Sequence, residues 1–181
     1  MTSIIKADNI STVSGSGNIT IPTGVKVIGT DAASIVSPGS AIQMVNATGG
    51  PSGNETQVTA GGVWTSTYAT VSITPKYANS KIYLSHTAGG LSSTSSSDIG
   101  LRIQRAISGG SSSYFYTNTR YGYTNTSTWV PLNWAVVAVD DAFNTTSQTT
   151  YTIEIYKSNS AGEIRHCDNG IWTFVAMEFK Q

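Results

Sequence analysis

Residues able to do chemistry are few in this sequence, and mostly scattered. His166, Cys167 and Asp168 are consecutive, the one place where an imidazole, a thiol and a carboxylate meet. Nucleophilic catalysis needs a base within hydrogen-bond reach of the thiol and a third group orienting that base. The segment from Glu163 to Cys167 reads as a short strand, and adjacent strand residues point to opposite faces, so His166 is badly placed to serve Cys167. The three are therefore read as a cluster at a loop edge. Cys167 is the sole cysteine, which excludes an intrachain disulfide; a half-buried free thiol is read ahead of pairing with a partner chain. His86 and His166 are the two histidines. Ringed around a three-fold axis they would suit a metal, but neither belongs to a His-x-His pair, and a lone strand histidine is usually a satisfied polar residue. Of the 10 acidic residues, Asp140 and Asp141 alone are adjacent, which is poor material for the acidic pair of a glycan-degrading enzyme. There is no Gly-rich phosphate loop and no Cys/His metal set. The expectation is a protein without catalytic residues, metal or cofactor.

Aromatic residues carry more signal. Arg120-Tyr121-Gly122-Tyr123-Thr124-Asn125 reads as a loop in which tyrosines sit beside Arg and Asn. Aromatic rings with polar neighbours suit stacking on sugar rings, so Arg120, Tyr121, Tyr123 and Asn125 are the candidate glycan contacts. The plainer reading packs loop tyrosines on a neighbouring subunit and puts Trp134 and Trp172 in the core.

The elements that must hold these residues are strands. Only 11% of the residues are charged, and Ser, Thr, Asn and Gly fill the surface instead. β-Branched and aromatic residues recur in short runs between turn signals at near-regular spacing. That pattern predicts an all-β sandwich or jelly roll. Strands are predicted at Ala41 to Val45, Thr56 to Ala60, Tyr68 to Thr74, Lys81 to His86, Asp98 to Ile107, from Tyr114, at Trp129 to Val139, Thr149 to Tyr156 and Glu163 to Cys167. Loops are predicted at Gly89 to Ser97 and Arg120 to Thr128, and Pro131 marks an edge or a bulge.

The last segment, Ile171 to Phe179, is apolar on both alternating sides. One side reads Ile171, Thr173, Val175, Met177 and Phe179, the other Trp172, Phe174, Ala176 and Glu178, so both are mostly apolar. It is predicted to be a central strand with one face in its own core and the other against a neighbouring copy. Trp129, Trp134, Trp172, Phe174, Val175 and Met177 are the expected core and inter-copy residues.

Residues 1–40 differ from the rest. Short apolar pairs, Ile4 with Ile5, Ile19 with Ile21, and Val25 with Val27, are too light to build a core alone. They predict an extended arm or stalk, anchored by sister chains or by a partner to which it adds strands. Residues 41–181 form the knob. Lys+Arg and Asp+Glu both number 10, and no basic cluster is present, which argues against nucleic acid. No apolar stretch approaches the ~20 residues of a membrane span. Met1 to Lys6 lacks the charged-then-apolar pattern of a secretory signal, which predicts assembly in a cytoplasm.

Two regions carry a resemblance. Ile4-Ile5-Lys6-Ala7-Asp8-Asn9-Ile10, followed by Gly17-Asn18-Ile19-Thr20-Ile21-Pro22-Thr23-Gly24, resembles the opening of many phage virion proteins, notably from marine and cyanobacterial phages. Pro38-Gly39 with Ile42-Gln43, then Ile73-Thr74-Pro75-Lys76, Ser80-Lys81-Ile82, Asp140-Asp141, Thr150 to Ile153 and Phe174 to Glu178, is similar to the distal domain of phage tail-fibre and appendage proteins. The resemblance implies a homotrimeric jelly-roll-like knob, similar in architecture to tumour-necrosis-factor-like domains. It also implies attachment to other virion proteins through the arm, location in the virion, and contact with a host-surface glycan or protein. Full tail fibres carry an extended shaft, which residues 1–40 do not supply. A short fibre and a capsid decoration or head fibre are both open.

Overall fold

The computed structural model describes residues 38–50, 55–93, 96–125, 128–142, 144–168 and 170–181, all within the unit Val36–Gln181. The arm residues Ile4, Ile5, Ile19, Ile21, Val25 and Val27 lie outside the described residues. The described chain is all-β: β1 (Ala41–Gly49), β2 (Thr56–Val58), β3 (Trp64–Ile73), β4 (Lys81–Ser92), β5 (Ser97–Ile107), β6 (Ser112–Thr124), β7 (Val130–Asp140), β8 (Thr149–Lys157), β9 (Ile164–His166) and β10 (Trp172–Phe179).

The strands form two antiparallel sheets. One runs β3-β8-β5-β6. In the other, β4 pairs with β7 along one edge, from Ile82 to Ser92. Its opposite edge pairs first with β10, over Lys81 to Ala88, and then with β9, over Gly90 to Ser92. β9 and β10 thus lie end to end as one interrupted strand, with β1 and β2 outside them in the same relation. Each interrupted pair taken as one strand, there are eight, and the sheet orders become 1-8-3-6 and 2-7-4-5. That is the strand order of a jelly roll, two Greek keys folded into a sandwich. The C-terminal strand lies between the first and third, central in its sheet as its sequence predicts.

Alternation explains the packing. In β3, Ala69, Val71 and Ile73 are buried while Ser66, Tyr68, Thr70 and Ser72 are exposed. The same period of two sends Ile99, Leu101 and Ile103 of β5, Tyr151, Ile153 and Ile155 of β8, and Trp172, Phe174 and Ala176 of β10 into one core. Each large apolar side chain buried there contributes roughly 1.5–3 kcal/mol. The sheets are also tied by polar groups. Arg105 of β5 donates to both oxygens of Asp140 of β7 (2.8 and 2.9 Å), and the Tyr151 hydroxyl of β8 donates to the same carboxylate (3.0 Å). Glu178, buried at the end of β10, accepts from the Ser80 hydroxyl (2.6 Å), the backbone N–H groups of Lys76 and Tyr77, and the Gln43 amide. It thereby pins the turn between β3 and β4.

Two expected loops are strand instead. β4 runs on through Gly89 and Gly90 to Ser92, and β6 runs through Arg120 to Thr124. Glycine weakens a strand in isolation, but Gly90 is needed because another backbone approaches closely. A Cβ there would stand 2.2 Å from the Arg165 carbonyl oxygen and 2.3 Å from Trp134 Nε1. Pro131 sits on edge strand β7, at the same parity as Ala135. The Ala135 N–H points off the free edge to the Tyr121 hydroxyl, so the missing proline N–H costs no ladder bond.

Candidate functional site

A surface depression of about 560 Å³ lies where β5 begins and β6 ends, lined by Asp98, Arg120, Gly122 and Tyr123. Asp98 and Tyr123 are direct cross-strand partners. The register then shifts: Ile99 faces Gly122 but Leu101 faces Asn118, so β6 carries extra residues at this point. Such a bulge re-aims side chains. Here it turns Arg120 outward and Tyr121 inward. The Arg120 N–H is held by Asn118 Oδ1 (3.0 Å), and its guanidinium Nε meets Asp98 Oδ1 at 3.3 Å. The Arg120 side chain is 81% exposed and Tyr123 is 61% exposed. Asn125, two residues beyond Tyr123, accepts a bond from the Ser96 hydroxyl (3.1 Å).

Of the four aromatic-loop residues, Arg120 and Tyr123 line the depression, and Asn125 is not among its lining residues. Tyr121 leaves the group. Its ring stacks on Trp134 (5.6 Å between centroids, 14° between planes). Its hydroxyl accepts from the Ala135 N–H (2.6 Å) and donates toward the carbonyls of Asn133 and Ala135. It covers part of the free edge of β7. Asp98 belongs to the site but is isolated in sequence by more than twenty residues from its partners; only strand pairing reveals it.

The two histidines do come together, though not with Cys167 and Asp168. His86 of β4 and His166 of β9 are buried with their Nε2 atoms 3.0 Å apart. His86 Nδ1 lies 3.0 Å from the Thr173 carbonyl and must donate to it. His86 Nε2 is then the acceptor and His166 Nε2 the donor, which leaves His166 Nδ1 unprotonated, buried and without a partner. Burial holds His86 down to about 4 and His166 to about 3, the neighbouring imidazole adding to the second shift. Both rings are neutral at pH 7.

Cys167 is fully buried, not half-buried. It leaves the strand with a positive φ of 62°, and its thiol donates to the Gly170 carbonyl (3.0 Å). Burial pushes its pKa up, so the thiolate that would make it reactive is disfavoured. Asp168 pairs with Arg165 (3.0 Å). Arg165 also meets Glu163 and Glu55, and it stacks over Trp129, which stands 43% exposed just ahead of β7. Among the described residues no group of three His, Cys, Asp or Glu could hold a metal.

The outer face of the β7-β4-β10-β1 sheet is the other notable surface. Pairing lines up Met44, Met177, Tyr83 and Val139 in one row, and Asn46, Val175, Ser85 and Val137 in the next. Met44 (61% exposed), Val137 (59%), Val139 and Ile171 stand out from it. A second depression, of about 310 Å³, opens beside Ile171 over Thr87, Gly89 and Ala135. Trp134, Trp172 and Phe174 face the core, whereas Val175 and Met177 belong to this outer face.

No protein-family model matches the chain, and no curated protein matches it. Among solved structures, it is similar to a chain in the structure of the infectious bursal disease virus Gx strain, with 17% identity and a TM-score of 0.43 over 86% of this chain and 41% of that one. A chain of the Gt strain matches at 17% identity and a TM-score of 0.43, over 87% and 43%. A chain from T=1 particles derived from infectious bursal virus matches at 18% identity and a TM-score of 0.42, over 87% and 41%. This chain spans about two-fifths of the length of each.

Proposed function

We propose that this protein is a structural component of a virus particle. In this reading it is a short phage appendage, trimeric, held by residues 1–40, with its sandwich as the outward end contacting the host surface. The observation that carries the proposal is the outer face of the β7-β4-β10-β1 sheet. Its two central rows hold Met44, Met177, Val139, Val175 and Val137 with no charged residue among them. Exposed apolar surface of this kind marks an interaction site, and depletion of charge is typical of the core of an interface between like subunits. The resemblance of the sequence to phage appendage proteins supplies the virion and the number of copies. A capsid decoration or head fibre is the second reading, because the same uncharged sheet face would serve it equally.

Light scattering on the purified full chain tests the assembly: three chains of 19.0 kDa give a particle of about 57 kDa. A 19.0 kDa monomer at micromolar concentration sinks the trimer. Fitting the sandwich into a density map of the source particle separates tail from capsid, and its absence from the particle sinks the virion role.

A further inference from the structure

We propose that the depression at the ends of β5 and β6 binds a neutral saccharide, with Asp98 and Arg120 bridged by adjacent hydroxyls and Tyr123 stacked on the sugar ring. The inference rests on the reading of the sandwich as the outward, host-contacting end. Three features of the geometry point to this ligand class.

The first is charge. Arg120 touches Asp98 through Nε alone, at 3.3 Å. Its guanidinium has five N–H donors, so most remain for a ligand, and a carboxylate accepts more than one bond. The pair offers donors and acceptors side by side with no net charge. A vicinal diol, in which each hydroxyl both donates and accepts, satisfies both groups at once. An anionic ligand drawn to Arg120 would meet the Asp98 carboxylate, and a cationic one would meet the guanidinium.

The second is shape. Tyr123 presents its ring at 61% exposure directly across from Asp98, and a tyrosine offers an apolar face with a polar tip. Gly122 lies next to it, and a Cβ there would meet nothing within 4 Å. No packing forbids a side chain at this position. Glycine inside a strand lets a ligand approach the backbone closely. The volume of about 560 Å³ is within the usual range for small-ligand sites of roughly 300–1,000 Å³.

The third is rigidity. Asp98 and Tyr123 sit on paired strands, and the Asp98 main chain is fixed further by two bonds to Ser158, one to its hydroxyl and one from its N–H. The Asp98 N–H donates to Ser158 Oγ (2.9 Å), and the Asp98 carbonyl accepts from the Ser158 N–H (3.0 Å). Sites on strands hold geometry better than sites on free loops.

The test uses the full-length protein on an array of immobilised neutral oligosaccharides, built from hexoses, deoxyhexoses and N-acetylhexosamines, beside sialylated and uronate-bearing ones. Capture of neutral glycans is expected, weakened about tenfold or more by Tyr123→Ala and by Arg120→Gln. Tyr68→Ala removes an exposed aromatic on β3 and should leave capture unchanged. No capture of any neutral glycan, preference for the acidic ones, or capture indifferent to Tyr123→Ala overturns the proposal. Particle incorporation of Tyr123→Ala is read separately. Normal incorporation without glycan capture by the unaltered protein refutes the saccharide site alone. Absence of the unaltered protein from particles refutes the virion reading.

Discussion

His86 and His166 are the residues whose chemistry is most altered by folding. Each has a folded pKa below its unfolded value of 6.5, at about 4 and about 3. Between those values the unfolded chain binds more protons than the folded one, so stability rises with pH. The pair's contribution is intact above about pH 6.5 and is lost as the pH falls toward 4 and 3. For His86 the shift corresponds to on the order of 3 kcal/mol. Glu178 acts with the same sign lower down. Burial alone would raise its pKa, but the bonds from Ser80, Lys76, Gln43 and Tyr77 outweigh that and hold it below 4.5. Its stabilisation is present above 4.5 and lost below. Urea denaturation at pH 7, 5.5 and 4.5 should therefore show a falling midpoint, flattened over this range in a His86→Leu/His166→Leu double variant. Equal stability of the unaltered protein at all three pH values would contradict the assignment of both rings as neutral.

Among the elements, β4 is the strand on which the β7-β4-β10-β1 sheet is assembled, pairing β7 on one edge and β10 and β9 on the other. Its two adjacent glycines have different tasks. At Gly90 an added Cβ strikes the Arg165 backbone and the Trp134 ring, and a carbonyl in a ladder cannot step aside. At Gly89 nothing lies within 4 Å. Gly90→Ala should cost about 3 kcal/mol or more, and Gly89→Ala about 0.5 kcal/mol or less, as read from thermal or urea melts. Equal effects would mean that β9 does not approach β4 as described.

On the scale of the whole molecule, the apolar sheet face and the N-terminal residues make separate predictions. Val137 is 59% exposed on the outer face, so Val137→Glu should leave the sandwich folded. In the assembled protein it would bury an unpaired carboxylate at the contact, which costs several kcal/mol. The expected result is a folded monomer of 19.0 kDa by light scattering with an unchanged β-type circular dichroism spectrum. A persisting trimer places the contact elsewhere. Deleting residues 1–37 should leave a folded, trimeric sandwich that no longer joins particles, since the core is drawn from residues 58 to 176. Incorporation of the truncated protein at normal occupancy would make the sandwich the anchor.

The sequence by itself determined the class of this protein and the faces of its strands. Alternation is local, with a period of two, so the apolar set Trp172, Phe174 and Ala176 and the opposed set Val175 and Met177 could be separated without knowing any partner strand. The same pattern predicted a central position for the last strand, and it occupies one. Which strands pair is not local information, and only the tertiary structure decided it. The jelly-roll order, the meeting of His86 with His166, and the pairing of Asp98 with Tyr123 all follow from registers between distant segments. Gly89 and Gly90 read as loop because glycine is a weak strand former alone; strands on both edges of β4 overrode that preference. Tyr121 looked like its neighbours in the aromatic stretch. A bulge, set by the mismatch between β5 and β6, turned it onto Trp134 while leaving Arg120 and Tyr123 at the surface.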